Sequence, residues 1–279
     1  MKMPPLYPAF AIALLTTACG GGDPEAAGDP AITLSFATES GGNPVDCSTS
    51  FEAGTGAGSF GISDLKMFIS DIELIDASGS ATPLALTADD TWQTESIALL
   101  DFEDKSAGCS NGTERTNTVI HGTAPDASYS GIRFTVGVPF SDNHADPSQA
   151  TGPLTFTSMH WGWQGGYKFM RIDITERDGN YRLHLGSTGC EGTIGAITSC
   201  SRPNRPRIEL TDFDPATQTI VLNLDQLFAQ TDLTANAEGT TTGCMGSEID
   251  PDCEGPFAEL GLDFQTGEPS GPATAFMVK

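Results

Sequence analysis

Basic residues are scarce in this chain: 13 Lys and Arg stand against 37 Asp and Glu, a formal net charge of −24. Such an excess repels phosphate backbones and anionic headgroups, which argues against nucleic acid as a partner. Apolar runs are short as well, and the stretch Pro8 to Leu15 is too brief to span a bilayer. Several catalytic signatures are missing: there is no GxxxxGK[ST] loop, no C-x-x-C pair and no C-x-x-C-H haem-attachment site. These absences exclude the usual routes to nucleotide-phosphate chemistry, zinc held by paired cysteines, and covalent haem. Carboxylates are plentiful, but no spacing marks a glycosidase pair. The chain reads as a binding protein and not an enzyme.

What is present begins at the N-terminus. Met1-Lys2, the apolar run, and then Leu15-Thr16-Thr17-Ala18-Cys19-Gly20-Gly21-Gly22 resemble a bacterial lipoprotein signal. On that reading residues 1–18 are removed, Cys19 is lipidated, and residues 19–30 form a flexible tether. The mature chain would carry 12 basic against 37 acidic residues. It would sit in the periplasm, anchored to the outer membrane or the cell surface.

Setting Cys19 aside leaves six cysteines, and an even number in an exported protein reads as three disulfides. Sequence alone permits 15 pairings of six cysteines. Spacing favours Cys190–Cys200 and Cys244–Cys253 as local bridges, with Cys47–Cys109 left to close a long loop.

Strand signals dominate residues 31–279, which are read as a single β domain. Ile32–Phe36 alternates apolar and polar residues, and Leu65–Ile69, Ile72–Ile75, Ile132–Val136, Arg207–Leu210 and Thr219–Leu224 follow. Turn chemistry at 76–79, 178–180 and 214–216 separates them. The expected architecture is all-β, an antiparallel β-sandwich or flattened barrel with long disulfide-stapled loops. One helix is expected, over Leu224–Leu233.

The chemistry concentrates in Ser158–Arg171, which holds two of the three tryptophans, Trp161 and Trp163, with Met159, His160 and Tyr167. Read as a strand, it places Met159, Trp161 and Trp163 on one face and His160 on the other. In Tyr181–Leu185 the leucines mark the apolar side, so His184 faces away from the core. Imidazole, thioether and oxidisable indole together suggest a redox-active metal.

The succession Gly137-Val138-Pro139-Phe140…Asn143-His144, Met159-x-Trp161-x-Trp163…Gly166-Tyr167-Lys168-Phe169, His184-Leu185-Gly186-Ser187-Thr188-Gly189-Cys190 and Cys244-Met245…Cys253 resembles the MbnP-like family. The resemblance covers nearly the whole mature chain. It implies a periplasmic copper-binding protein whose partner is a dihaem cytochrome c peroxidase-like (MbnH-like) enzyme. That enzyme oxidises a tryptophan near the copper to a kynurenine-type residue. Carried over position by position, it makes His144 and His184 the copper ligands and Trp161 or Trp163 the oxidised residue. Met159, Met245 and His160 are auxiliary candidates, His121 matches no motif, and Asp142 or Asp146 is placed to orient His144. The alternative from the residues themselves is a β-sandwich carbohydrate-binding or adhesion lipoprotein whose Trp161, Trp163 and Tyr167 stack on sugars.

Overall fold

A computed structural model describes residues 1–2, 28–110, 112–175 and 180–279. The expected signal peptide, Cys19, most of the tether, and the first two residues of the 178–180 turn lie outside the described residues.

Alternation along Ala31–Ser40 turns Leu34 and Phe36 inward, because successive strand residues point to opposite faces. This strand is central in a six-stranded sheet. Thr219–Asn223 and then Phe276–Val278 lie to one side of it, Val119–Thr123 and Ala85–Leu86 to the other. A second, seven-stranded sheet is organised around Gly61–Asp76. Met170–Thr175 and Asn180–Leu185 extend it one way, Tyr129–Val136 and Arg207–Thr211 the other. Neither sheet closes into a barrel, so the sandwich is the architecture formed. Among the described strands the ladders are antiparallel except that Ala31–Ser40 and Thr219–Asn223 run parallel.

The core lies between the sheets, with Leu34, Phe36 and Ile220 facing Leu65, Phe134 and Ile172. Phe134 meets Phe36 and Phe276 of the opposite sheet edge to face, at 5.9 and 5.5 Å. Such pairs contribute roughly 0.5–1.5 kcal/mol beyond area burial. The seven-stranded sheet is covered on its outer face too. All five residues of Ile97–Asp101 are buried; Ala98 and Leu100 face the inner core, while Ile97 and Leu99 pack with Phe68, Val138, Met159, Tyr167 and Phe169. The tryptophan-rich stretch is therefore part of a lid over the back of a sheet. It joins that sheet only at its end, where Met170–Thr175 begins.

That stretch departs from the expected alternation. Its first half is broken: His160–Trp161 is strand, paired with Gly166–Tyr167, and Gly162–Gln164 is a 3₁₀ turn between them. Beyond Trp161 the period of two no longer assigns faces.

The three disulfides are Cys47–Cys109, Cys190–Cys200 and Cys244–Cys253, the set that spacing favoured. The first spans 62 residues, and a loop of that length contributes about 4 kcal/mol in the chain-entropy model. The second joins directly opposed residues of the hairpin Thr188–Thr193/Ala196–Arg202.

The helix expected over Leu224–Leu233 is shorter, a single turn Leu224–Leu227 whose first amides are capped by the Asn223 side chain. Two further short helices, Phe140–Asn143 and Glu254–Glu259, lie outside the one helical segment expected, and the latter carries Pro256 in its first turn. Proline is tolerated there because the first helical turn needs no N–H donor from it.

Candidate metal centre

The hairpin around Trp161 closes at Gly165, whose φ of 64° suits a residue without a side chain. Trp161 is 5% exposed. Its six-membered ring lies on Gly186, where a Cβ atom would stand 2.9 Å from Cε3 and 2.7 Å from the Tyr167 carbonyl oxygen. Glycine in His184-Leu185-Gly186 is thus the seat of the indole. On the other side, Gly166, the strand partner of Trp161, lies against the Asn143 side chain. Trp161 is lodged between the segment carrying His144 and the strand carrying His184.

His144 follows the one-turn helix Phe140–Asn143. Its Nδ1 is 2.9 Å from the Gly165 carbonyl, so Nδ1 carries the proton and donates. Asn143 accepts the Tyr167 amide through Oδ1 at 2.7 Å, which turns its amide nitrogen toward Nε2 of His144 at 3.0 Å. Cys200 Sγ stands 3.3 Å from the same Nε2, and the Phe140 ring lies 4.6 Å from the imidazole. Everything holding His144 is neutral.

His184 is supported by charge. Its ring points away from Leu183 and Leu185, as the alternation predicts, yet it is buried. Nε2 lies 2.7 Å from Asp173 Oδ1. Arg171 grips the other Asp173 oxygen through Nη2 at 2.6 Å and Nε at 3.0 Å, and reaches Asp64 at 2.8 Å. Asp64 accepts from Lys66 at 3.0 Å, which also bonds Glu103 and lies 3.5 Å from Asp101. A continuous row of alternating charge runs from Lys66 to His184 across three strands. Burial raises the Asp173 carboxyl, but the His184 hydrogen bond and the Arg171 guanidinium outweigh it and hold the group at about 2. Burial lowers His184, so near pH 7 a neutral imidazole faces an ionised carboxylate. Asp101, with one oxygen unpartnered among the described residues, is pushed up to about 7 by burial.

The remaining expected residues fall into different settings. His160 is half-buried, edge-on to Tyr167 at 5.3 Å, and is lowered by burial and then by Lys168. Lys168, itself depressed to about 8 by burial, donates to the Ser158 carbonyl. Met159 is fully buried in the outer apolar cluster and is packing. Met245 is half-buried beside Cys244, whose carbonyl accepts the His184 amide. Trp163 sits in the 3₁₀ turn; its side chain lies outside what is described. His121 is on the six-stranded sheet, hydrogen-bonded to Thr33. Asp142 and Asp146 do not orient His144: Asp142 accepts the Ser96 hydroxyl, and Asp146 caps its own short turn by accepting the Ser148 amide. The carboxylate that supports a histidine is Asp173, on His184, and the clamp on His144 is Asn143. Sequence reasoning missed both: Asn143 sits inside a motif it had singled out, whereas Asp173 lies two residues beyond the Ser158–Arg171 stretch.

A soft or borderline ion takes neutral imidazole and sulfur donors. His184 fits: Asp173 occupies one nitrogen, and among the described residues Nδ1 has no hydrogen-bond partner. His144 offers Nε2, covered at present by the Asn143 amide and a disulfide sulfur. Two His/Cys/Glu groupings occur among the described residues, His144 with Cys190 and Cys200, and Glu103 with Cys47 and Cys109. Each rests on a disulfide, which has no thiolate to give. No such grouping contains both His144 and His184.

No match is found among curated proteins. Among solved structures, MbnP from Methylosinus trichosporium is similar, with a TM-score of 0.80 and 30% sequence identity over 89% of this chain and 98% of that one. The model of the MbnP family matches residues 29–246, which include the Trp161 hairpin, His144, His184 and the disulfide hairpin Thr188–Thr193/Ala196–Arg202. With that match over most of its length, the chain belongs to the MbnP family.

Proposed function

We propose that this protein is an exported, lipid-anchored copper-binding protein, the partner and substrate of a dihaem cytochrome c peroxidase-like enzyme that oxidises Trp161 or Trp163. The supporting observation is the placement of Trp161, buried between the segment carrying His144 and the strand carrying His184. Membership of the MbnP family supports the same reading. His184 and His144 hold the ion, the latter exchanging the Asn143 amide for it. Two imidazoles with a further nitrogen or thioether suit Cu(I), and Cu(II) accepts added oxygen donors. Indole offers no donor lone pair. Opening it across C2–C3 inserts two oxygens and consumes two equivalents of peroxide, each reduced to water; hydrolysis of the resulting N-formyl group by water then releases formate and leaves an aromatic amine and a ketone, both able to face a metal. The protein handles copper and turns over no substrate. A sugar-stacking platform is disfavoured because Trp161 and Tyr167 are only 5% and 4% exposed.

His144→Ala and His184→Ala should each abolish stoichiometric copper binding, read by metal analysis after gel filtration; unchanged stoichiometry would sink the ligand assignment. After co-expression with the haem partner, peptide mass spectrometry should show added oxygen or lost carbon at Trp161 or Trp163. Two intact tryptophans under those conditions would remove the oxidation step.

A further inference from the structure

Asp173 makes two different bonds with its two oxygens. Oδ2 is gripped by both Nε and Nη2 of Arg171, at 3.0 and 2.6 Å, so the carboxylate is not free to rotate. Oδ1 is left for His184 Nε2 at 2.7 Å. An ionised carboxylate only accepts, and a neutral imidazole has one N–H, so this bond places the proton on Nε2 and the lone pair on Nδ1. The other end of the imidazole is fixed through the backbone, whose amide donates to the Cys244 carbonyl at 2.9 Å. Arg171 is itself held by Asp64, and Asp64 by Lys66. The orientation of one ring therefore depends on a chain of ion pairs reaching across the sheet. His144 is fixed in the opposite sense, its Nδ1–H donated to Gly165 and its lone pair on Nε2.

We propose that Asp173 is a positioning residue: it locks His184 as the Nε2–H tautomer, so that this histidine presents Nδ1, and His144 presents Nε2, to the metal. The proposal rests on the copper reading above. Metal-binding histidines that donate their second N–H to a carboxylate lose about 10–100-fold in affinity when that partner is removed.

The test uses the mature chain with 15N-labelled histidine and Cu(I), which is diamagnetic, followed by long-range 1H–15N correlation and by competition against a chromogenic Cu(I) chelator. In the unloaded protein His184 should show a slowly exchanging Nε2–H that disappears in Asp173→Ala. On loading, the His184 Nδ1 signal should move while the Nε2 proton is retained. Cu(I) affinity should fall about 10–100-fold in Asp173→Ala and recover in part in Asp173→Glu. Asp142→Asn and Asp146→Asn, whose carboxylates hydrogen-bond no histidine among the described residues, should bind as wild type does. Should Asp173→Ala fail to fold, the near-isosteric Asp173→Asn carries the same comparison. Loss of the Nε2 proton on loading, or wild-type affinity in a folded Asp173 variant, overturns the proposal. If the wild type takes up no copper, the functional reading fails by itself, and the unloaded spectrum still shows whether Asp173 fixes the ring.

Discussion

His144 and His184 are both buried, and both flank the segment around Trp161, yet opposite kinds of chemistry hold them. His184 stands at the end of a row of ion pairs borne on strands. His144 stands in a loop, held by a backbone carbonyl, a carboxamide, an aromatic ring and a disulfide. Charged support fails when a charge is removed. Neutral support fails when loop geometry or a covalent link is lost. Among the described residues the two supports share no hydrogen-bond or ion-pair partner, so each can be disturbed alone, and effects at sites without shared partners usually add.

The largest effect is expected at Lys66, the cation shared by Asp64, Asp101 and Glu103. Lys66→Met leaves buried carboxylates uncompensated and should cost about 3–5 kcal/mol in chemical denaturation, by analogy with other broken buried ion pairs. The Nδ1–H of His144 should be unmoved in the NMR spectrum; a parallel change there would erase the distinction between the two sites. Next comes the double variant Cys190→Ser with Cys200→Ser. Opening a loop of that size should cost about 3 kcal/mol and loosen the His144 ring while leaving the His184–Asp173 bond intact. Loss of both together would show that the supports are coupled.

The gentlest test is Asp101→Asn. Burial raises Asp101 above its ordinary 3.8 to about 7, so its contribution to stability is fully present below 3.8 and is lost as pH rises through about 7. The stability difference between variant and wild type should therefore shift in favour of the variant across that interval. A flat difference in a pH series of denaturation curves would mean that the carboxyl titrates normally.

Much of this was legible in the sequence because it is local. The period of two along Tyr181–Leu185 placed His184 off the core face, and short spacings marked Cys190–Cys200 and Cys244–Cys253. What was hidden depends on chain segments meeting. Asp173 supports His184 across an antiparallel pair, and nothing in either strand alone reveals that neighbour. Asp142 and Asp146 are close to His144 in sequence, but nearby serine groups claim both. The tryptophan-rich stretch looked like a long strand because its aromatic composition suits one. Its Gly162 and Gly165 instead let the chain turn after Trp161. Asn143 could not be read as a clamp because its acceptor bond is to Tyr167, 24 residues away.

The row of charges has a consequence for how the strands choose each other. Lys66, Arg171 and His184 stand directly opposite one another on three neighbouring strands, as do Leu65, Ile172 and Leu183 on the inner face. Sliding Met170–Thr175 by one residue would exchange these sets, driving Arg171 and Asp173 into the sandwich interior beside phenylalanines and turning Ile172 out. Each unpaired charge so buried costs several kcal/mol. The ion pairs therefore exclude every one-residue misalignment of the sheet, and the polar row serves as the key that admits a single register.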